Sequence, residues 1–171
     1  MAELINGDYK SFVEEFSEIS CVLFPTFTIL LADGEFSAAE KDFLIDKVCS
    51  SLGGENGIFE EYSEDEIAVE FKKTWAMYPS SGANLKEKCF ISNACCARLW
   101  QRSFFPGAKK TERSLILDFL TEVANADGKI TKDEAQLLEM FTHLILFGKF
   151  LSETERADYN KAHPDSPWNR F

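Results

Sequence analysis

Histidine is scarce in this chain, with only His143 and His163 among 171 residues. No Glu-x-x-His pair occurs, which excludes the di-iron sites that helical bundles build from that spacing. There is no Gly-x-Ser-x-Gly elbow, no phosphate-binding glycine loop and no dinucleotide fingerprint, so none of the chemistries that depend on them has a footing. Val-Ile-Thr alternation is nearly absent, which argues against strands, and no apolar run approaches membrane-spanning length. The first residues, Met-Ala-Glu-Leu-Ile-Asn-Gly-Asp, place no basic segment before an apolar one, so neither a secretory signal nor a transit peptide is expected. Cys-x-x-Cys spacing is missing too. The five cysteines (Cys21, Cys49, Cys89, Cys95 and Cys96) are odd in number and mostly sit among apolar neighbours, as reduced core thiols of a cytoplasmic protein do. A thiol and a distant histidine can form a nucleophilic dyad, yet Cys89, Cys95 and Cys96 share a helical stretch with Phe90, Ile91 and Leu99 and are expected to pack.

Bases are outnumbered, 18 Lys and Arg against 29 Asp and Glu, for a net charge of −11. The deficit is uneven. Residues 1–70 hold 17 acids and 3 bases, residues 71–113 hold 2 acids and 9 bases, and residues 114–171 hold 10 acids and 6 bases. The central basic island fits either a compensated, solvated surface or a face for an acidic partner or anionic lipid headgroups. Overall acidity argues against nucleic acid.

What is abundant is apolar and aromatic: 45% hydrophobic residues and 16 Phe suffice for a core in one domain. Helical spacing predicts a first helix from near Asn6 or Asp8 through Phe12, Phe16, Ile19 and Leu23, with Pro25 either restarting or kinking it. The stretch from Thr26 to Ala32, apolar apart from its threonines, is expected to be buried. A helix from Ser37 carries Leu44, Ile45, Val48, Cys49 and Leu52 to Gly53-Gly54. After an acidic, glycine-rich loop to Tyr62, Ser63 with Glu66 opens another, with Ile67, Phe71, Trp75 and Tyr78 inward. Asn84 with Glu87 starts a long central helix to about Phe104. Thr111 is expected to cap the next, with Leu115, Ile116, Phe119, Leu120 and Val123 inward. Thr131 then caps a helix carrying Leu137, Leu138, Phe141, Leu144 and Ile145, with Gly148 near its end. Ser152 with Glu155 opens a last short helix. The fold class is therefore all-α, a single-domain bundle of about 7–8 helices. Residues 1–162 form the domain and residues 163–171 a C-terminal tail. His163-Pro164-Asp165 spells the J-domain tripeptide, but too few residues follow for the helix that a J-domain needs.

Arg98, Arg102, Lys109, Lys110 and Arg113 interleave with Trp100, Phe104, Phe105 and Pro106, which suits a binding surface. Helical spacing instead turns Trp100 and Phe104 inward and the bases to water.

One phrase occurs twice: Ala32-Asp33-Gly34-Glu35-Phe36-Ser37-Ala38-Ala39-Glu40 and Ala126-Asp127-Gly128-Lys129-Ile130-Thr131-Lys132-Asp133-Glu134. Glycine ends one helix, Ser37 or Thr131 caps the next, and Glu40 or Glu134 stands at capping-box spacing. Each copy predicts a helical elbow, and two elbows predict two pseudo-symmetric hairpins. Set on a calcium loop, Asp127, Gly128, Thr131 and Glu134 match its second half. Val123 and Asn125, or Ile29 and Leu31 in the first copy, stand where the leading acidic ligands belong, so neither elbow alone holds calcium tightly. Pooled by an approximate two-fold, Asp33, Glu40, Asp127 and Glu134 would suit calcium or magnesium. Spent on their own caps and turns, the same acids are structural. A carboxylate bonded to a cap amide points away from a pooled site.

These paired phrases resemble the TerB-like family, named for tellurite resistance and including the helical N-terminal domain of the membrane-anchored DjlA co-chaperones. The similarity covers roughly residues 20–150 and is stronger in the second copy, from Glu122 to Thr131. It implies a compact helical bundle whose acidic cluster (Asp33, Glu40, Asp127, Glu134) takes a divalent cation. It also implies a non-enzymatic accessory role in stress-response assemblies, with protein partners at the inner membrane surface. Two alternatives are a pure interaction module with structural Asp-Gly turns, and a metal-dependent hydrolase needing an open coordination position and a substrate pocket.

Overall fold

The computed structural model describes residues 12–32, 38–55, 57–80, 84–102, 104, 111–125, 130–149 and 151–164, with the backbone alone at 38–41, 43 and 80. Among these residues there are seven α-helices and no strand: α1 (Glu18–Leu30), α2 (Ala38–Leu52), α3 (Glu64–Met77), α4 (Leu85–Arg102), α5 (Glu112–Ala124), α6 (Lys132–Phe147) and α7 (Glu153–Ala162). A 3₁₀ turn, Tyr78–Ser80, ends α3. The all-α expectation holds, and none of these helices is long and apolar enough to cross a membrane.

The start signals work as the residue types dictate. Ser63, Thr131 and Ser152 each accept the backbone N–H three residues on, while Glu66, Glu134 and Glu155 reach back to the cap's own N–H. Asn84 Oδ1 accepts the Glu87 N–H at 3.0 Å. Thr111 departs from expectation, because its backbone is already helical and its side chain makes no cap bond. Only an extended cap residue aims its hydroxyl at the free amides of the first turn.

α1 is the axis of the molecule. Every residue from Ile19 to Ile29 is buried, and the helix packs against α3, α4, α5 and α6. Such all-round burial requires apolar residues on every face. Pro25 lies inside this helix, so it neither restarts the chain nor ends the element. A mid-helix proline costs about 3 kcal/mol, and burial of neighbouring Phe24 and Phe27, at about 3 kcal/mol each, offsets it. The polar residues of α1 are all bonded. Thr26 Oγ1 donates to the Val22 carbonyl at 2.8 Å, and Thr28 Oγ1 lies 3.0 Å from the Tyr78 hydroxyl and 2.8 Å from Ser92 Oγ. Ser20 Oγ pairs with Thr74 Oγ1 at 2.9 Å. These bonds fix the register of α1 against α3 and α4, since a slip in either direction would leave buried hydroxyls unpaired.

Phe27 stands edge-on to Phe71 at 5.2 Å, Trp75 at 5.1 Å and Tyr78 at 5.7 Å, joining α1 to α3 through an aromatic cluster. α5 and α6 pack side by side, as the second elbow requires, and α6 also lies along α4. α2 packs chiefly on α3 among the described residues, because α1 is already enclosed. Phe59 is fully buried although it lies in the acidic loop, where the Phe59 N–H donates to the Leu52 carbonyl at 2.8 Å. In α5, Ile116, Phe119, Leu120 and Val123 are buried as expected, whereas Leu115 is 38% exposed and Leu117 is buried in addition. α7 buries no residue fully and is held by Phe147 against Tyr159 at 5.0 Å and by the Arg156–Glu139 ion pair.

Candidate functional site

Of the four acids expected to form a cation cluster, Asp33, Asp127 and the side chain of Glu40 lie outside the described residues. Glu134 is described. It is the third residue of α6, only 5% exposed, and its Oε1 accepts the Thr131 N–H at 3.3 Å while its own N–H donates to Thr131 Oγ1 at 3.2 Å. One oxygen of this carboxylate is thus committed to the cap. Among the described residues no three His, Cys, Asp or Glu side chains gather in a metal-holding arrangement.

The described charged residues converge elsewhere, at the meeting of α1, the C-terminus of α4 and the loop after α2. Arg102, in the last turn of α4, donates Nε to Glu112 Oε1 at 2.7 Å and Nη2 to Glu61 Oε1 at 2.6 Å, with Glu18 Oε1 at 3.5 Å from Nη1. Its guanidinium also stands over the Phe59 ring at 5.1 Å. The Glu112 side chain is only 4% exposed and is bonded to this arginine. Glu18 accepts the Tyr62 hydroxyl at 3.0 Å. Burial pushes the Glu18 carboxyl up, but a backbone hydrogen bond, the Tyr62 hydroxyl, Arg102 and Arg98 together hold it below the usual carboxylate value. Burial, reinforced by Glu18, pushes the Tyr62 phenol up to about 12.

One turn earlier on α4, Arg98 Nη1 donates to the Val13 and Phe16 carbonyls, the latter at 2.6 Å, and lies 3.7 Å from Cys21 Sγ. The Val13 carbonyl also accepts the Phe16 N–H at 3.0 Å, so Arg98 adds a second donor there and ties α4 to the entry of α1. Between these two arginines is a cleft of about 150 Å³ lined by Glu18, Cys21, Arg98, Leu99, Gln101 and Arg102. Arg113 donates Nη1 to the Leu146 carbonyl at 2.9 Å, at the C-terminus of α6 where a cation is favourable.

These contacts correct the expectation for the basic stretch. Arg98, Arg102 and Arg113 turn into the fold instead of facing water, while Phe104 is 65% exposed and only Trp100 packs, against Gly148. Lys109 and Lys110 lie outside the described residues. Sequence carried little sign of the Arg102 cluster, because its partners come from three separate segments; only the excess of acids before residue 71 and of bases after it hinted at such pairing.

The arrangement is a charge-satisfied clamp with a small polar cleft beside it. Its carboxylates are paired to arginine, which suits holding α1, α4 and α5 together better than proton transfer. No family model, no curated protein and no solved structure matches the chain.

Proposed function

We propose that the chain is a non-enzymatic, TerB-like accessory protein of the stress-response, tellurite-resistance type, working through protein partners and carrying a divalent-cation site at its two acidic elbows. The observation that carries this reading is the duplicated Ala-Asp-Gly phrase, whose second copy is flanked by helices α5 and α6 that pack on one another. Support for a shared site comes from α1, the helix leading into the first elbow, which touches both α5 and α6. Calcium or magnesium fits oxygen donors of this kind.

The test is thermal melting with calcium, magnesium and manganese. At a hundredfold excess over its Kd, a bound cation adds about 2.7 kcal/mol, or about 5–10 °C for a chain of this size. Asp127→Asn should abolish the rise. One observation favours a second reading, a pure interaction module with structural turns: the Glu134 carboxylate is bonded within its own capping box. Melting curves that superimpose with and without each cation, in a correctly folded protein, would establish that second reading and end the first.

A further inference from the structure

We propose that the cleft between Arg98 and Arg102 binds a small zwitterion, an α-amino acid of alanine size, with its carboxylate on Arg98 and Gln101 and its ammonium on Glu18. Two helices build the cleft, α1 through Glu18 and Cys21 and α4 through Arg98, Leu99, Gln101 and Arg102. Arg98 supplies the free cation. Its Nη1 is spent on the Val13 and Phe16 carbonyls, which fixes the guanidinium against the entry of α1. The N–H groups of Nε and Nη2 are left without a protein acceptor among the described residues, and Arg98 makes no ion pair there although its side chain is half-buried. A partly desolvated guanidinium gains most from a charged acceptor. Gln101 stands three residues on, on the same side of α4, and its exposed amide has no protein partner among the described residues, so it can donate beside Arg98. Arg102 differs, because Nε, Nη2 and Nη1 already face Glu112, Glu61 and Glu18.

Glu18, the first residue of α1, supplies the opposite charge. One of its oxygens accepts the Tyr62 hydroxyl at 3.0 Å and the other lies 3.5 Å from Arg102 Nη1. An ionised carboxylate offers about four acceptor positions, so capacity remains for an ammonium. Arg98 is among the groups that hold this carboxyl below its usual value, so the two charges sense each other across the cleft without ion-pair contact.

Charge balance and size select the ligand. Two arginines here meet three carboxylates, Glu18, Glu61 and Glu112, an excess that opposes phosphate or a simple carboxylate, while Arg98 opposes a simple cation. A molecule carrying both charges a few bonds apart satisfies both walls. The cleft measures about 150 Å³, and a cavity of about that volume holds benzene, so there is room for about six heavy atoms, the number in alanine. Leu99 and Cys21, 2% and 1% exposed, give an apolar wall for its methyl group. A long side chain has nowhere to go.

Nuclear magnetic resonance titration of the folded protein with L-alanine, propionate, ethylammonium and L-leucine tests this. L-alanine should shift the Arg98 Nε–H and the Gln101 side-chain amide in a saturable way. Propionate lacks the ammonium and ethylammonium lacks the carboxylate, so each should bind about tenfold more weakly or less, and L-leucine should not bind. Glu18→Gln should weaken L-alanine about tenfold and leave propionate no weaker, whereas Gln101→Ala should weaken both a few-fold. Arg98→Met should abolish binding; if that variant fails to fold, the four ligands on the wild-type protein decide alone. No saturable shift with L-alanine up to about 50 mM, a simple anion or cation that matches it, L-leucine binding equally well, or shifts confined to residues away from the cleft would each overturn the proposal.

Discussion

Arg102 shows how one cation can hold three segments. Its partners Glu18, Glu61 and Glu112 differ in exposure, and Glu112 is the most enclosed at 4%. Removing a partner from a buried pair costs about 3–5 kcal/mol, because the survivor keeps its desolvation and loses its compensation. Arg102 is itself 22% exposed, which places Arg102→Met near 3 kcal/mol, a fall in melting temperature of about 6–12 °C. Glu112→Gln keeps an acceptor in place and should cost only about 1–2 kcal/mol. Equal losses from the two substitutions in urea melts would show that the charge at position 112 is irrelevant. Glu18 contributes to the acid limb of stability. Glu18 is held below its unfolded value of 4.5, so its contribution is complete above pH 4.5 and disappears as pH falls through the depressed folded value. Glu18→Gln should flatten that part of a stability–pH curve. At the alkaline end, Tyr62 and Tyr78 are both pushed from 10.0 up to about 12, chiefly by burial. The folded state holds these protons longer than the unfolded chain, so stability persists to about pH 10 and falls between there and 12. Tyr62→Phe with Tyr78→Phe should remove most of that fall, as read by denaturation midpoints at each pH.

At the scale of elements, Gly148 ends α6 under two constraints. Its φ of 71° lies in the left-handed region, and an added Cβ would come within 2.6 Å of the Trp100 indole. Gly54 has a similar φ of 83° with only Glu64 Cγ nearby at 3.7 Å. Backbone strain alone costs about 1 kcal/mol and overpacking adds about 1–3. Gly148→Ala should therefore lose about 2–4 kcal/mol and Gly54→Ala about 1, and denaturant melts showing equal losses would remove the indole contact from the account. Element starts and stops of this kind were legible in sequence because they are local: Ser63, Thr131, Ser152 and Gly148 act on amides and carbonyls within one turn. The places that were not legible depend on distant chain. Pro25 reads equally as a restart or as a kink within one helix, and only the burial of α1 on every side decides for the continuous helix. Phe59 looks like a loop residue until the ring finds the core beneath Arg102. Leu115 and Leu117 differ by two positions, and only the placement of α5 against α1 and α6 selects which is covered. The capping box of Glu134 is legible for the same reason, since its partner Thr131 is three residues away.

For the whole molecule, the uneven charge along the chain becomes a folding constraint. The acid-rich first 70 residues and the base-rich segment from 71 to 113 meet where Arg102 of α4 receives Glu18 and Glu61. Three of the island's nine bases, Arg98, Arg102 and Arg113, turn into the fold while Lys72, Lys73 and Lys86 stay exposed, and the chain as a whole carries a net charge of −11. Like charges on a compact body repel, and the Debye length shrinks from about 30 Å at 0.01 M salt to about 3 Å at 1 M, so added sodium chloride should stabilise the native state. The close, half-buried Arg102 pairs are screened much less than the exposed acids. Arg102→Met takes the net charge to −12 and leaves Glu61 and Glu112 without Arg102 and Glu18 with Arg98 alone, so repulsion among the three acids joins the part that salt relieves. The melting temperature of the variant should then climb more steeply with sodium chloride than that of the wild type, with the gap between them narrowing as salt rises. Parallel slopes would mean that the three carboxylates do not sense one another, and that the arginine holds α1, α4 and α5 by its short hydrogen bonds and the stacking of its guanidinium over Phe59 instead of by relieving their repulsion.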